Sequence, residues 1–266
     1  MANPSRTIQQ LMDLSGKVAL VTGGSGYLGM AIAHAMAELG ARVILTSRDA
    51  DRARSAAATL PQVEYGPHGG VAMNQLDIAS VRRAFDEAIT IGGRVDILFN
   101  NAHERTVEDW RNVSEEDFSR DLRNCTAFFS LARLMRDHVV TRGARASIVN
   151  VGSMYGMVGS YPQVYEGITA ASPVSYHATK GAVVQLTRHL AVYWAKDGVR
   201  VNCLCPGPFP YPTADARMIA RLNEKVPMGR VGEAWEVKGV AAFLASDASS
   251  YVTGQILLVD GGWTAW

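Results

Sequence analysis

Lys17-Val-Ala-Leu-Val21-Thr22-Gly-Gly-Ser-Gly-Tyr-Leu-Gly29 is the stretch on which the fold turns. Its first five residues form a short apolar run, the mark of a strand buried on both faces. A glycine-rich turn follows at once. Leu28, Ile32, Ala35, Met36 and Leu39 then recur at helical spacing until Gly40, which suits a helix C-terminus. Strand, glycine-rich turn and helix in that order form the context in which such a turn holds a dinucleotide. The glycines let the backbone approach a pyrophosphate, and the helix start offers unpaired N–H groups and the positive end of its dipole.

The same alternation continues along the chain. Strands are expected over 17–21, 42–46, 71–76, 96–99, 146–151, 199–204 and 254–259. Helices are expected over 49–60 and 80–91, from Ser114 onward, from 172 to about 196, and over 233–246. Residues 62–70, with Pro67 and Gly69-Gly70, read as a surface turn. Alternating β and α elements argue a parallel sheet with helices on both faces. No linker or repeat divides residues 1–266, which read as one domain. Residues 1–14 read as an N-terminal tail, and 154–173 and 208–228 as long loops on the substrate side, the second resembling a lid.

Composition narrows the function. Hydrophobic residues make up 48% and charged residues 19% of the chain, which is ordinary for a globular α/β domain. A net charge of +1 provides no field for nucleic acid or an anionic membrane, and no apolar run approaches a membrane span. Cys125, Cys203 and Cys205 do not have zinc spacing, and no metal site is expected. Reduced thiols and the lack of a signal peptide suggest the cytoplasm.

Candidate reacting groups lie at strand ends and helix starts. Tyr176 and Lys180 are four apart at the head of a helix, hence one turn from each other on one face. An ammonium beside a phenol favours the phenolate, which suits a proton donor and acceptor. Ser153 follows the 146–151 strand, at the edge where open α/β sheets bind ligands. Asn124 falls mid-helix, where asparagine is unfavourable; it is either a surface residue or present for a reason. At the end of the second strand come Ser47 and Arg48, with no acid at the tip although Asp49 is next. An Arg there accommodates the 2′-phosphate of NADP, so NADP(H) is favoured over NAD(H), unless Arg48 pairs with Asp49 or Asp51.

Taken in order, the glycine-rich turn, Asp77, Asn100-Asn101-Ala102, Asn124, Ser153, Tyr176 with Lys180, Pro206-Gly207 and Asp260-Gly261-Gly262 resemble the short-chain dehydrogenase/reductase superfamily, over nearly the whole chain. The resemblance implies a Rossmann-type doubly wound, mostly parallel seven-stranded sheet, an NAD or NADP cofactor, and hydride transfer between nicotinamide and a carbonyl or secondary alcohol. It also implies a homo-oligomer, a homotetramer before a dimer. By position, Tyr176 would be the acid in reduction and the base in oxidation, and Lys180 would tune it and bind the nicotinamide ribose. Ser153 would hold the substrate oxygen, and Asn124 would order a water reaching Lys180. Gly23, Ser25, Gly26, Tyr27, Leu28 and Gly29 would surround the pyrophosphate. Asp77 and Ile78 would meet the adenine, Asn101 and Ala102 the adenosine ribose, and Pro206 and Gly207 would also belong to the cofactor site.

Three departures stand out. Tyr27 occupies the place of the usual middle glycine, so that Gly26 produces the G-x-x-G-x-x-G spacing of the family's extended branch. His103 replaces the glycine after Asn-Asn-Ala, near the cofactor, at the substrate mouth, or merely on the surface. Ser153 precedes Tyr176 by 23 residues, more than is habitual, which reads as an insertion; Ser160, Ser172 and Ser175 are rivals for its role. The inserted loop carries Tyr155, Tyr161, Tyr165 and Glu166, a set suited to a hydroxyl-bearing substrate or to a neighbouring subunit. The loop pattern is similar to members acting on gluconate or related sugar acids, where Arg105 would meet a carboxylate and Phe209 would line the substrate side. The expectation is an oxidoreductase for a small sugar-like or sugar-acid-like molecule. The alternatives are a 3-oxoacyl-thioester reductase and a dinucleotide-binding sensor or scaffold without turnover.

Overall fold

Every residue of β1 (Val18–Val21) is buried, and its period of two divides the core into halves. Ala19 and Val21 join Val43, Leu45, Ile32, Met36 and Leu244 on one face; Val18 and Leu20 join Ile44, Leu98, Phe85, Leu131 and Leu190 on the other. The computed structural model describes residues 5–170 and 172–266. The first four residues of the expected tail, and Ala171 in the 154–173 loop, lie outside the described residues.

The sheet contains β2 (Arg42–Ser47), β3 (Gly69–Ala72), β4 (Ile97–Asn100), β5 (Ala146–Val151), β6 (Val199–Pro206) and β7 (Ile256–Val259) besides β1. All seven strands are parallel, in the order β3-β2-β1-β4-β5-β6-β7. The order reverses between β1 and β4, and there the carboxyl ends of the strands open a crevice. The helices are α1 (Ile8–Met12), α2 (Tyr27–Glu38), α3 (Ala50–Ala57), α4 (Ile78–Gly92), α5 (Glu115–Thr141), α6 (Pro162–Tyr165), α7 (Val174–Trp194), α8 (Ala216–Asn223) and α9 (Lys238–Ala245). α2 and α9 cover the first face, and α4, α5 and α7 the second. Among the described residues no helix is long and apolar enough to cross a membrane.

Several boundaries differ from the sequence reading. β3 begins at Gly69, so the glycine pair belongs to the strand and not to a turn. A Cβ on Gly70 would collide with the backbone of Ala53 and Arg54, so here glycine marks the close approach of α3. β6 runs on through Cys205 to Pro206, whose missing N–H is harmless beyond the last β5 pairing, Val151 with Leu204. The tail contains a helix: Thr7 and Gln10 form a capping box on α1, and Arg6 pairs with Asp247 at 2.7 Å. The last helix is divided into a 3₁₀ turn over 234–237 and α9. The loop over 154–173 holds a 3₁₀ turn and α6, and 208–228 holds α8. Trp263 is 2% exposed and packs within its own chain, whereas Trp266 is 73% exposed.

Candidate active site

Thr22 joins the glycine-rich turn to the end of β4. Its Oγ1 donates to Phe99 O and accepts from the N–H groups of Asn101 and Ala102, each at 2.9 Å. Asn101 Nδ2 in turn donates to Thr22 O at 2.8 Å. Gly23 has φ +61° and faces Ala102, and a Cβ on Gly29 would run into Gly23 O. Gly26 is the N-cap of α2 and has no side chain to cover the first N–H groups, so the cradle suits a phosphate. Tyr27 turns to Tyr211 in the 208–228 segment, with ring centroids 5.2 Å apart.

At the tip of β2, Ser47, Arg48 and Arg52 line the crevice. Asp49 is engaged as the N-cap of α3, accepting from Arg52 N at 2.9 Å, and Asp51 pairs with Arg54. Arg48 has no ion pair with a described residue. Gln75 also lines this side; it is 2% exposed, and both its amide atoms lack partners. Asp77 and Ile78, expected at the adenine, are not on the cavity wall: Asp77 caps α4 by accepting from Ala79 N at 2.9 Å.

The crevice continues to the place where β5 and α7 meet, and as a whole, from the tip of β2 to Lys180, it encloses about 1050 Å³. Ser153 lies at the end of β5, and its Oγ accepts from Tyr155 N at 3.1 Å. The preceding Gly152 leaves room for the thiols beneath, since a Cβ would be 2.5 Å from Cys205 Sγ. Tyr176 and Lys180 stand one turn apart on α7. Lys180 is 3% exposed; its Nζ donates to Val151 O at 2.8 Å and lies 5.6 Å from the Tyr176 ring centre. Ser153, Tyr176 and Lys180 all line the cavity. Of the rival serines, Ser175 is buried and donates to Asp121 Oδ2, Ser172 bonds His177 at the cavity wall, and Ser160 does not line it.

Asn124 stands on α5, beneath the loop that leaves β4. It is fully buried behind the wall, and its amide accepts from Glu104 N at 3.0 Å and donates to Glu104 O at 2.6 Å. The mid-helix asparagine thereby holds the loop that carries His103 and Arg105. His103 meets Tyr176 edge to face at 5.1 Å, and Arg105 lies 5.4 Å over the same ring. Burial first, then the charges of Lys180 and Arg105, push the His103 imidazolium down to about 2.

The inserted loop divides. Tyr155 and Tyr165 line the cavity with their hydroxyls 2.7 Å apart, and burial raises both phenols above their ordinary range. Tyr161 instead packs on Trp263 at 5.3 Å, and Glu166 contributes only its carbonyl, to Arg221. Neither lines the cavity; α6 turns them toward α8 and the C-terminal segment. Phe209, Met218, Leu222, Pro206 and Gly207 complete the wall. The sequence reading missed Arg52, whose signal was its position four residues after Arg48, and Gln75, which carried none.

Comparison with known proteins agrees with this architecture. A family model described as enoyl-(acyl carrier protein) reductase matches residues 25–264. The chain is 38% identical to the galactitol 2-dehydrogenase (L-tagatose-forming) of Cereibacter sphaeroides, over 95% of this chain and 97% of that protein. It is 35% identical to the gluconate 5-dehydrogenase of Gluconobacter oxydans, over 96% and 97% respectively. Among solved structures, a gluconate 5-dehydrogenase from Burkholderia cenocepacia in complex with NADP and tartrate superposes with a TM-score of 0.86 at 30% identity, covering 98% of this chain and all of that one.

Proposed function

This chain belongs to the short-chain dehydrogenase/reductase superfamily of oxidoreductases, and from that premise we propose an NADP(H)-preferring enzyme for a small hydroxylated carbonyl compound or its alcohol, of the sugar or sugar-acid kind. The observation that carries the reading is the convergence of Ser153, Tyr176 and Lys180 on one cavity that also presents the Tyr155–Tyr165 pair, His103 and Arg105, together with the apolar side chains of Phe209, Met218 and Leu222. Hydroxyls and a carboxylate would find partners on the side of the Tyr155–Tyr165 pair and Arg105. Relatives named for galactitol and gluconate support the class.

The residues assign themselves roles by position. Nicotinamide, when bound, supplies or accepts the hydride. Ser153 Oγ holds the substrate oxygen, and Tyr176 gives that oxygen a proton in reduction and takes one from it in oxidation. Lys180, anchored by Val151 O, holds its Nζ 5.6 Å from the Tyr176 ring centre and would bind the nicotinamide ribose. Asn124 maintains the loop that bounds the site. The glycine cradle, Asn101 and Ala102 would hold the pyrophosphate side, and Arg48 with Arg52 the 2′-phosphate. We further propose assembly as a homotetramer, which exposed Val192, Tyr193 and Trp266 support.

The test is a turnover panel of polyols, sugar acids and 3-ketoacyl thioesters with NADH and NADPH, followed by nicotinamide absorbance. Turnover of sugar acids or polyols with NADPH is expected. Activity confined to thioesters would overturn the substrate class, and equal use of both nucleotides the preference.

A further inference from the structure

Asp121 takes no part in the chemistry described above and does not line the cavity, yet it is tied to both elements that hold the Tyr176 ring. It is buried on α5, three residues before Asn124. Its Oδ2 accepts from Ser175 Oγ at 2.7 Å and from Thr106 N at 2.9 Å, and its main-chain O accepts from Thr179 Oγ1 at 3.4 Å. Ser175 and Thr179 immediately precede Tyr176 and Lys180 on α7, whose N-cap, Pro173, offers no side-chain hydrogen bond. Thr106 follows Arg105 on the loop whose His103 and Arg105 meet the Tyr176 ring at 5.1 and 5.4 Å. One carboxyl oxygen therefore sets the spacing between the helix turn that carries the phenol and the loop that touches its ring.

Packing alone does not account for an acid at this place. An apolar side chain would hold α5 against α7 at less cost, since buried polar atoms need partners. Asp121 Oδ1 has no hydrogen-bond partner among the described residues; Arg120 stands 3.7 Å from it and pairs more closely with Asp117, at 2.7 Å. What the carboxyl group supplies and an apolar group lacks is direction, through two bonds that converge on one atom. Reaction at a held geometry is sensitive to such placement, a displacement of about 1 Å costing roughly 10²-fold in rate. We propose that Asp121 is a positioning residue for the Tyr176 phenol, acting through Ser175 on the helix and through Thr106 on the facing loop. The proposal rests on the reading of Tyr176 as the proton donor.

The experiment compares wild type with Ser175→Ala, which removes the helix bond alone, Asp121→Leu, which removes both, and Asp121→Asn, whose amide oxygen accepts in place of Oδ2. Tyr176→Phe is the control. Single-turnover reduction of L-tagatose and of 5-ketogluconate by NADPH gives the maximal rate and the half-saturating ketone concentration. Nicotinamide fluorescence gives NADPH affinity, and the melting temperature checks folding. Incorporated 3-fluorotyrosine reports the phenol itself, its signal assigned by the one lost in Tyr176→Phe. In Ser175→Ala and Asp121→Leu the maximal rate is expected to fall about 10-fold or more, with half-saturation and NADPH affinity within twofold of wild type and the Tyr176 fluorine signal displaced or broadened. Asp121→Asn should recover part of that rate. A rate within twofold of wild type in Ser175→Ala overturns the proposal, and so do losses of rate and of both affinities that follow the melting temperature together. Tyr176→Phe reducing either ketone as fast as wild type overturns instead the reading of the proton donor. Should wild type reduce neither ketone, the substrate class fails and the fluorine signal decides alone: displaced in Ser175→Ala it upholds the positioning role, unmoved it ends it.

Discussion

Asn124 and Glu104 are joined by a pair of hydrogen bonds that ties the middle of α5 to the loop above it: Glu104 N donates to the asparagine Oδ1 at 3.0 Å, and Nδ2 donates to Glu104 O at 2.6 Å. An unfavourable helix residue thus satisfies a loop that no neighbouring strand pairs. Asn124→Leu is expected to lower stability by about 1–3 kcal/mol, because it leaves two partly buried main-chain groups of Glu104 unpaired. Hydrogen exchange should show the Glu104 amide losing its protection first. Unchanged protection there would remove the positioning role.

The tip of β2 predicts a nucleotide preference. Arg48→Ala is expected to weaken NADPH binding about tenfold or more, from the loss of a charge-assisted contact, and to leave NADH binding within twofold. Titration of the free protein with each nucleotide checks this. Parallel losses for both would place Arg48 on the pyrophosphate or outside the site.

His103 predicts a dependence of stability on pH. Below about 6.5, the ordinary imidazole value, the unfolded chain takes up a proton that the folded ring refuses until about 2. The unfolded state then binds more protons, so this contribution to stability is fully present above 6.5 and is lost as pH falls, by about 1.4 kcal/mol per pH unit. His138 and His177, also depressed by burial, act in the same direction and are common to wild type and variant. Urea denaturation at pH 6.5 and 5.5 should therefore show His103→Phe gaining relative to wild type at the lower pH. Parallel stability curves would mean that the ring opens to water.

Gly70 predicts a packing cost. Gly70→Ala places a methyl group against the backbone of Ala53 and Arg54, and a destabilisation of about 1–3 kcal/mol is expected from the overpacking, measured by thermal or urea unfolding. A neutral result would show that α3 can shift away from β3.

These particulars also explain what was legible in the sequence. Tyr176 and Lys180 could be read because helical spacing alone puts them on one face, and Ser153 because a strand end fixes its edge of the sheet. The start of β3 could not, since Gly69-Gly70 has the composition of a turn, and only the approach of α3 gives the pair its purpose. Tyr161 and Glu166 share a loop with Tyr155 and Tyr165, but the direction of each depends on α6, four residues whose orientation is set by α8 and Trp263. Asn124 was recognised as out of place; its partner, twenty residues away in a loop, was beyond any local pattern.

In the proposed mechanism the Tyr176 phenol carries the proton. The most direct measurement is single-turnover reduction by Tyr176→Phe at saturating NADPH and substrate, alongside NADPH affinity by fluorescence. A rate lowered about 10²- to 10⁴-fold is expected, the usual worth of a positioned proton donor, with affinity within a few-fold of wild type. A variant that turns over at a rate near wild type would contradict it.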